Sequence, residues 1–212
     1  TGLADHARDA RQSPSRRGAP RQTTDVLRQM TAERNAELGE HITGVVELAA
    51  RVATRLGLSP EQIDDLKRAS ALHDIGKLAV PAETLNKPGK LTDSEWEVMR
   101  THPRVGLDLI RDSSAWCPLV HAVVRHHHER WDGSGYPDGK QADDIHEMAR
   151  IAAVADAYLA ITSERAYAPA RQPHEGVREI LDGAETLFDP VVCQVFSRVV
   201  APFPPGCDIE LR

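Results

Sequence analysis

Three consecutive histidines, His126-His127-His128, run directly into Glu129-Arg130-Trp131-Asp132 and a Gly133-Ser134-Gly135-Tyr136-Pro137 turn. No other stretch restricts the fold as much. A buried imidazole needs hydrogen bonds or a metal, and a Gly-Ser-Gly-Tyr-Pro sequence presets a tight backbone path. The fold must therefore bring further ligands to one place beside a loop. That pairing points to a catalytic metal site with a shaped lip.

The rest of the chain reads as helix. From about Thr24 apolar residues recur at helical spacing through Leu27, Met30, Leu38, Ile42, Val45, Val46, Leu48, Ala49 and Val52, which predicts one long helix ending at Gly57. Ser59-Pro60-Glu61-Gln62 and Thr92-Asp93-Ser94-Glu95 are capping boxes that open two more. A short helix is expected after Pro103 to about Ile110, and another through Val123-Val124 into the histidines. The alanine-rich stretch from Ala149 to Ile161 suits a central buried helix, and Asp189-Pro190 opens the last. Strand signals are nearly absent, so the expected fold class is all-α with functional loops. Residues 1–23 read as a flexible linker, 24–201 as the domain, and 202–212 as an extended tail.

On this scaffold several polar residues stand where an apolar one would be easier to bury. Asp156 lies inside Ile151-Ala-Ala-Val-Ala-Asp-Ala-Tyr, where an unpaired carboxylate would cost several kcal/mol unless a cation or a buried Arg or Lys met it. His73-Asp74 closes an apolar helical segment and precedes Ile75-Gly76-Lys77. Glu37 and His41, four apart, share a helix face, which is also what a solvated surface pair would look like. His102 precedes Pro103 and by itself could be a cap. His6, His146 and His174 sit in polar surroundings and read as solvated side chains. Together the candidates offer nitrogen and oxygen but no thiolate, a set that suits iron, manganese, cobalt, nickel or zinc. They exceed the four positions of one tetrahedral site, so two or three metals sharing a carboxylate are expected.

Bulk properties narrow the class. The three cysteines are far apart and form no C-x-x-C pair, which argues against disulfides and thiolate zinc sites and fits a reducing, cytoplasmic setting. No apolar run approaches the ~18–20 residues of a membrane span, and the first residues have no signal-peptide character. The net charge is −6, but residues 1–34 carry +3, which leaves −9 on the remainder. Such an acidic body excludes a protein that coats nucleic-acid polymers. A phosphate-bearing substrate would need a local cation.

His73-Asp74-Ile75-Gly76-Lys77, Lys87-Pro-Gly-Lys-Leu91, His102 with Gly106, the His127-His128-Glu129-x-x-Asp132-Gly-x-Gly-Tyr-Pro run and Asp156, in this order, resemble the HD-GYP branch of the HD phosphohydrolases. The resemblance implies an HD-type helical bundle with a GYP loop over a multinuclear centre. It also implies hydrolysis of cyclic di-GMP to pGpG, and often onward to GMP, by a metal-bridging hydroxide. The implied metal ligands are His41, His73, Asp74, His102, His127, His128 and Asp156, with Asp74 bridging and Glu37 added where a third metal is held; iron is the implied metal, then manganese. His126 would be a supporting neighbour of a ligand. Asp74 and Lys77 are the implied catalytic residues, and Lys77, Gly135, Tyr136, Pro137 and Arg165 would meet the substrate. An upstream sensor or receiver domain, a protein partner at the GYP loop and a homodimer fit the same resemblance.

The chain also departs from that pattern. Leu159 replaces an aspartate common three residues after the metal aspartate, Ala168 replaces a substrate-side lysine, and Gly44 replaces an arginine common after the first-helix histidine. These changes thin the nucleotide-facing shell and keep two alternatives open. One is hydrolysis of another phosphoester or cyclic dinucleotide; the other is a non-catalytic module that senses metal or nucleotide.

Overall fold

The computed structural model describes residues 15–113, 117–164 and 169–200, with side chains from residue 22 onward. Among the described residues the secondary structure is helical, apart from one isolated bridge between Ala184 and Phe188. Ten α-helices follow one another: α1 Ser15–Arg34, α2 Ala36–Leu56, α3 Pro60–Leu72, α4 Ala82–Leu85, α5 Asp93–Met99, α6 His102–Ile110, α7 Pro118–His126, α8 Glu147–Thr162, α9 Pro173–Asp182 and α10 Pro190–Val199. A 3-10 turn, Ile75–Ala79, follows α3. The all-α expectation holds.

The single helix expected from Thr24 to Gly57 is instead two. Asn35 takes an extended conformation, its side chain accepts from the Leu38 amide, and α2 starts anew. Periodicity alone missed this because the apolar stripe continues across the break, whereas an Asn side chain competes for backbone amides and favours an N-cap. Helix α1 begins at Ser15, inside the stretch expected to be a linker, where good helix formers such as Arg, Ala and Gln outnumber breakers. Both capping boxes form, at Ser59–Gln62 and Thr92–Glu95, and Gly57 closes α2 in the left-handed conformation with φ 86°. The break expected at Pro103 falls just before it, so Pro103 sits in the first turn of α6 where its missing N–H costs nothing. The extended tail expected at 202–212 lies outside the described residues.

Helix α2 is the spine. Its buried Val45, Leu48, Ala49 and Val52 pack against Leu66, Ala69 and Leu72 of α3, and against Ile151, Ala152 and Ala155 of α8. Burial of each Leu or Ile contributes about 1.5–3 kcal/mol. The small side chains on α8 let that helix approach closely, so a carboxylate on it can reach α2. Two of the three departures from the family pattern meet, Gly44 of α2 and Leu159 of α8: a methyl group at Gly44 would lie 2.9 Å from Leu159 Cδ1. Leu159 fills the space that the glycine leaves.

Candidate metal centre

Helix ends deliver most of the polar groups. His73 caps the C-terminus of α3, Asp74 opens the 3-10 turn, His102 begins α6, and His127 caps α7. Side-chain exposure is 1% for His73, Asp74 and His102 and 0% for His127. Two groups of ligand atoms result, each drawn within 4.8 Å: Asp74 with His102, His127 and His128, and Asp74 with His41 and His73. Asp74 belongs to both. Asp156 on α8 adds Oδ1, 2.7 Å from His41 Nε2 and 3.9 Å from His73 Nε2.

The close approach of the two halves depends on Gly76. A Cβ there would overlap the His102 carbonyl oxygen and lie 2.6 Å from the Gly106 nitrogen. These are backbone atoms that cannot rotate away, so only glycine lets the 3-10 turn press Asp74 against α6.

Hydrogen bonds fix which imidazole nitrogen is free. His73 Nδ1 faces the Ser70 carbonyl at 2.7 Å, His102 Nδ1 faces Met99 O at 2.8 Å, and His127 Nδ1 faces Val123 and Val124 carbonyls at 3.1 Å. A carbonyl can only accept, so each Nδ1 carries a proton and donates it. The neutral rings then point bare Nε2 lone pairs inward. His102 Nε2 and His127 Nε2 lie 3.2 Å apart, with Asp74 Oδ1 at 3.3 and 3.8 Å respectively. Lone pairs aimed at one another and at a carboxylate repel unless a cation lies among them. Asp74 Oδ1 and His73 Nε2 are also buried without a hydrogen-bond partner. The donor set therefore fits a divalent metal.

Titration preferences agree for the two aspartates, His102 and His128, and run against ligation at His73. Burial raises the Asp74 carboxyl, but Lys77 and His73 outweigh it and hold it well below the usual carboxylate range. Asp156 is likewise held low, burial being overcome by the His41 hydrogen bond and charge. Burial pushes His102 down to about 3, and burial with the neighbouring imidazoles pushes His128 well down. His73 moves the other way: burial lowers it, but Asp74 and Asp156, facing its Nε2, raise it more. Ionised carboxylates beside neutral imidazoles are the protonation states that metal ligation requires.

Of the other expected site residues, Glu37 lies one turn before His41 on α2, yet its side chain is exposed and joins neither group. Lys77 Nζ sits 2.7 Å from Asp74 Oδ2, on the side of the carboxylate away from the free Oδ1. Arg165 and Ala168 lie outside the described residues. His126 does not support a ligand as expected; its Nε2 turns to Asp138 Oδ2 at 2.9 Å. The reason is that the last turn of α7 directs His126 and His127 to different sides. His146, read as a solvated side chain, accepts from the Met148 amide and caps α8.

The GYP loop folds over the centre. A Cβ at Gly135 would overlap the Arg130 backbone nitrogen and lie 2.6 Å from His128 O, so the loop lies flush on its own stem. The Tyr136 amide donates to His128 O at 3.2 Å, and its ring stacks on His128 with centroids 4.9 Å apart and planes 26° apart. The Tyr136–Pro137 bond is cis and Pro137 is exposed. Sequence reasoning missed the brace beneath: Glu129, 4% exposed, accepts from the Asp138 and Lys140 amides at 2.7 and 3.1 Å. Arg125 adds two bonds to Asp138, at 2.7 and 2.6 Å. The thirteen-residue gap between Arg125 and Asp138 matches no helical or strand period, so no sequence signal marked it.

A model of the HD domain matches residues 25–192. This chain belongs to the HD-domain family. The HD-GYP likeness carried by the motifs holds with it: the chain is 40% identical over 172 residues to the cyclic di-GMP phosphodiesterase PA4108 of Pseudomonas aeruginosa, covering 81% of this chain and 41% of that protein. It is also 40% identical over 135 residues to 3′3′-cGAMP-specific phosphodiesterase 2 of Vibrio cholerae, covering 63% of this chain and 26% of that protein. The HD domain spans less than half the length of the curated relatives it matches. Among solved structures it resembles Bd1817, an HDG"Y"P protein from Bdellovibrio bacteriovorus, with TM-score 0.65 at 16% identity, over 87% of this chain and 63% of that one. That likeness confirms the helical HD fold. No described helix is long and apolar enough to cross a membrane.

Proposed function

We propose that this HD domain is a metal-dependent phosphodiesterase that hydrolyses cyclic di-GMP to pGpG or GMP. The observation that carries the reading is Asp74, shared by two groups of inward-facing ligand atoms with its Oδ1 left unpartnered. The names of the relatives supply the substrate class. His73, Asp74, His102, His127, His128, His41 and Asp156 would hold two divalent ions, iron first and manganese next, with zinc, nickel and cobalt also compatible with the ligands. Glu37 would join only for a third ion, after turning inward. Bound there, the metals supply positive charge for a phosphoryl group and lower the pKa of water.

The chain's own residues prepare the rest. Gly76 sets the spacing of the two ligand groups. Lys77 partly neutralises Asp74 and presents a point charge beside the phosphate position. Burial raises the Tyr136 hydroxyl pKa, and the charges of Asp74 and Asp156 raise it further, so the phenol stays protonated. Its ring covers His128 and excludes water from that side of the site. Catalysis would then rest on positioned charge facing the developing phosphoryl negative charge.

Anaerobically prepared, iron-loaded protein is expected to convert cyclic di-GMP to pGpG or GMP, resolved by product chromatography. An absence of turnover with both iron and manganese would overturn the reading. A second reading, preference for another cyclic dinucleotide, is favoured by the 3′3′-cGAMP-specific relative, and a substrate panel separates the two. A cytoplasmic location, a sensor or receiver domain outside this chain, a protein partner at the GYP loop and a homodimer belong to the same reading; sedimentation of the purified chain tests the last.

A further inference from the structure

Cations near the centre fall into two kinds. Lys77 is bonded to Asp74, Arg125 to Asp138, and Arg150 to Asp189 at 2.7 Å. Arg100 and Arg130 form no ion pair among the described residues. Arg100 caps the C-terminus of α5, two residues before His102, and its guanidinium lies 5.6 Å from the Tyr136 ring centroid. The same ring stacks on His128. Tyr136 thus touches both the exposed Arg100 and a residue of the metal centre. Arg130 stands at the neck of the same loop, where its Nη1 reaches Ser134 Oγ at only 3.5 Å.

A cation–ring contact spends none of a guanidinium's N–H donors on another acceptor. Arg100 therefore keeps its hydrogen-bonding edge unspent beside Tyr136. In a body that carries −9 beyond residue 34, two cations without an ion pair beside the same tyrosine are matched to an anion that arrives from outside.

We propose that Arg100 and Arg130 form a second anion subsite, which takes the phosphodiester of a cyclic dinucleotide that is not at the metal centre. This rests on the phosphodiesterase reading above. A cyclic dinucleotide carries two phosphodiesters; the Asp74 centre can engage one, and the other needs its own donors. The arginine fork matches a phosphate by two parallel bonds. This also gives the chain a cationic contact at the lip, while position 168 carries alanine.

The test separates subsite from reaction. Metal-loaded wild type, Arg100→Ala, Arg130→Ala and Arg100→Lys are assayed with bis(p-nitrophenyl) phosphate, which has one phosphodiester. Cyclic di-GMP and inorganic phosphate are titrated as competitors. Should the reporter not be turned over, the two ligands are titrated calorimetrically instead. In both alanine variants the inhibition or dissociation constant for cyclic di-GMP is expected to rise at least about tenfold. Arg100→Lys should fall between, while metal content, reporter kcat and phosphate affinity stay at wild-type values. An unchanged constant for the dinucleotide, a parallel loss of phosphate affinity, or no binding of the dinucleotide by wild type would each overturn the subsite. Weakened binding in a protein that never hydrolyses the dinucleotide would keep the subsite and reject the phosphodiesterase reading. Hydrolysis with an unchanged constant would do the reverse.

Discussion

The metal centre and the GYP lip lie in contact, yet they are finished in opposite ways. Around Asp74 the backbone is closely packed at Gly76, the side chains are buried, and Asp74 Oδ1 and His73 Nε2 have no hydrogen-bond partner. At the lip, Glu129 answers two amides, Asp138 answers Arg125 and His126, and Tyr136 lies against both His128 and Arg100. The lip can therefore hold its shape from its own atoms. The centre is incomplete as protein alone, because packing has been used to hold like groups together that only a cation reconciles. Structure is supplied by the lip and affinity for something external by the centre.

The strongest way to break this contrast is at Asp74. Asp74→Ala removes the atom shared by both ligand groups, and turnover is expected to fall by more than about 100-fold, with loss of bound metal measured by elemental analysis. Next in size is Gly76→Ala: a side chain there must displace the His102 backbone, so stability should drop by about 2–4 kcal/mol in urea unfolding, with metal content falling alongside. Removing metal from the wild type should cost less. At a metal concentration of 100 times the dissociation constant, its contribution is about 2.7 kcal/mol, read as a lower midpoint after chelation.

Effects at the lip should be smaller and of another kind. Asp138→Ala frees Arg125 and His126 but leaves Glu129 holding the loop, so stability is expected to change by about 0.5–1.5 kcal/mol. Metal content should be unchanged while KM rises; a loss of metal would show that loop and centre are one unit. The smallest effect concerns Glu95, a half-buried carboxylate that, like Asp74, has a lysine neighbour, here Lys87. The Lys87 hydrogen bond, with help from Thr92, holds Glu95 at about 2, against an ordinary 4.5. A lowered folded-state value means the contribution is present above about 4.5 and lost as pH falls through about 2. Glu95→Gln should therefore be less stable than wild type at pH 6 and indistinguishable from it near pH 2, measured by thermal unfolding at each pH.

Much of this was legible in the chain. Apolar spacing, two capping boxes and the Asp189-Pro190 start announced the helices, because those signals are local. His73-Asp74 and Asp156 stood out as polar groups in apolar helices, and the structure draws them together. What stayed hidden depended on chain direction in space. The helix break at Asn35 is invisible to a periodic stripe that resumes in phase. His126 could not be told from its neighbours until the last turn of α7 set where each imidazole points. Arg100 reads as an ordinary surface residue on α5, and only the return of the GYP loop places Tyr136 beneath it. Glu37 shows the opposite failure, since the four-residue spacing from His41 was right for a shared face, yet the side chain looks outward.

The Gly44–Leu159 contact makes one design unit of two positions on different helices. A first side-chain carbon at 44 would stand 2.9 Å from Leu159 Cδ1 and 3.3 Å from Cγ, so any larger residue there requires Leu159 to turn to another rotamer. The contact lies one turn from where His41 meets Asp156. A designer who enlarges position 44 therefore has to choose the residue at 159 along with it.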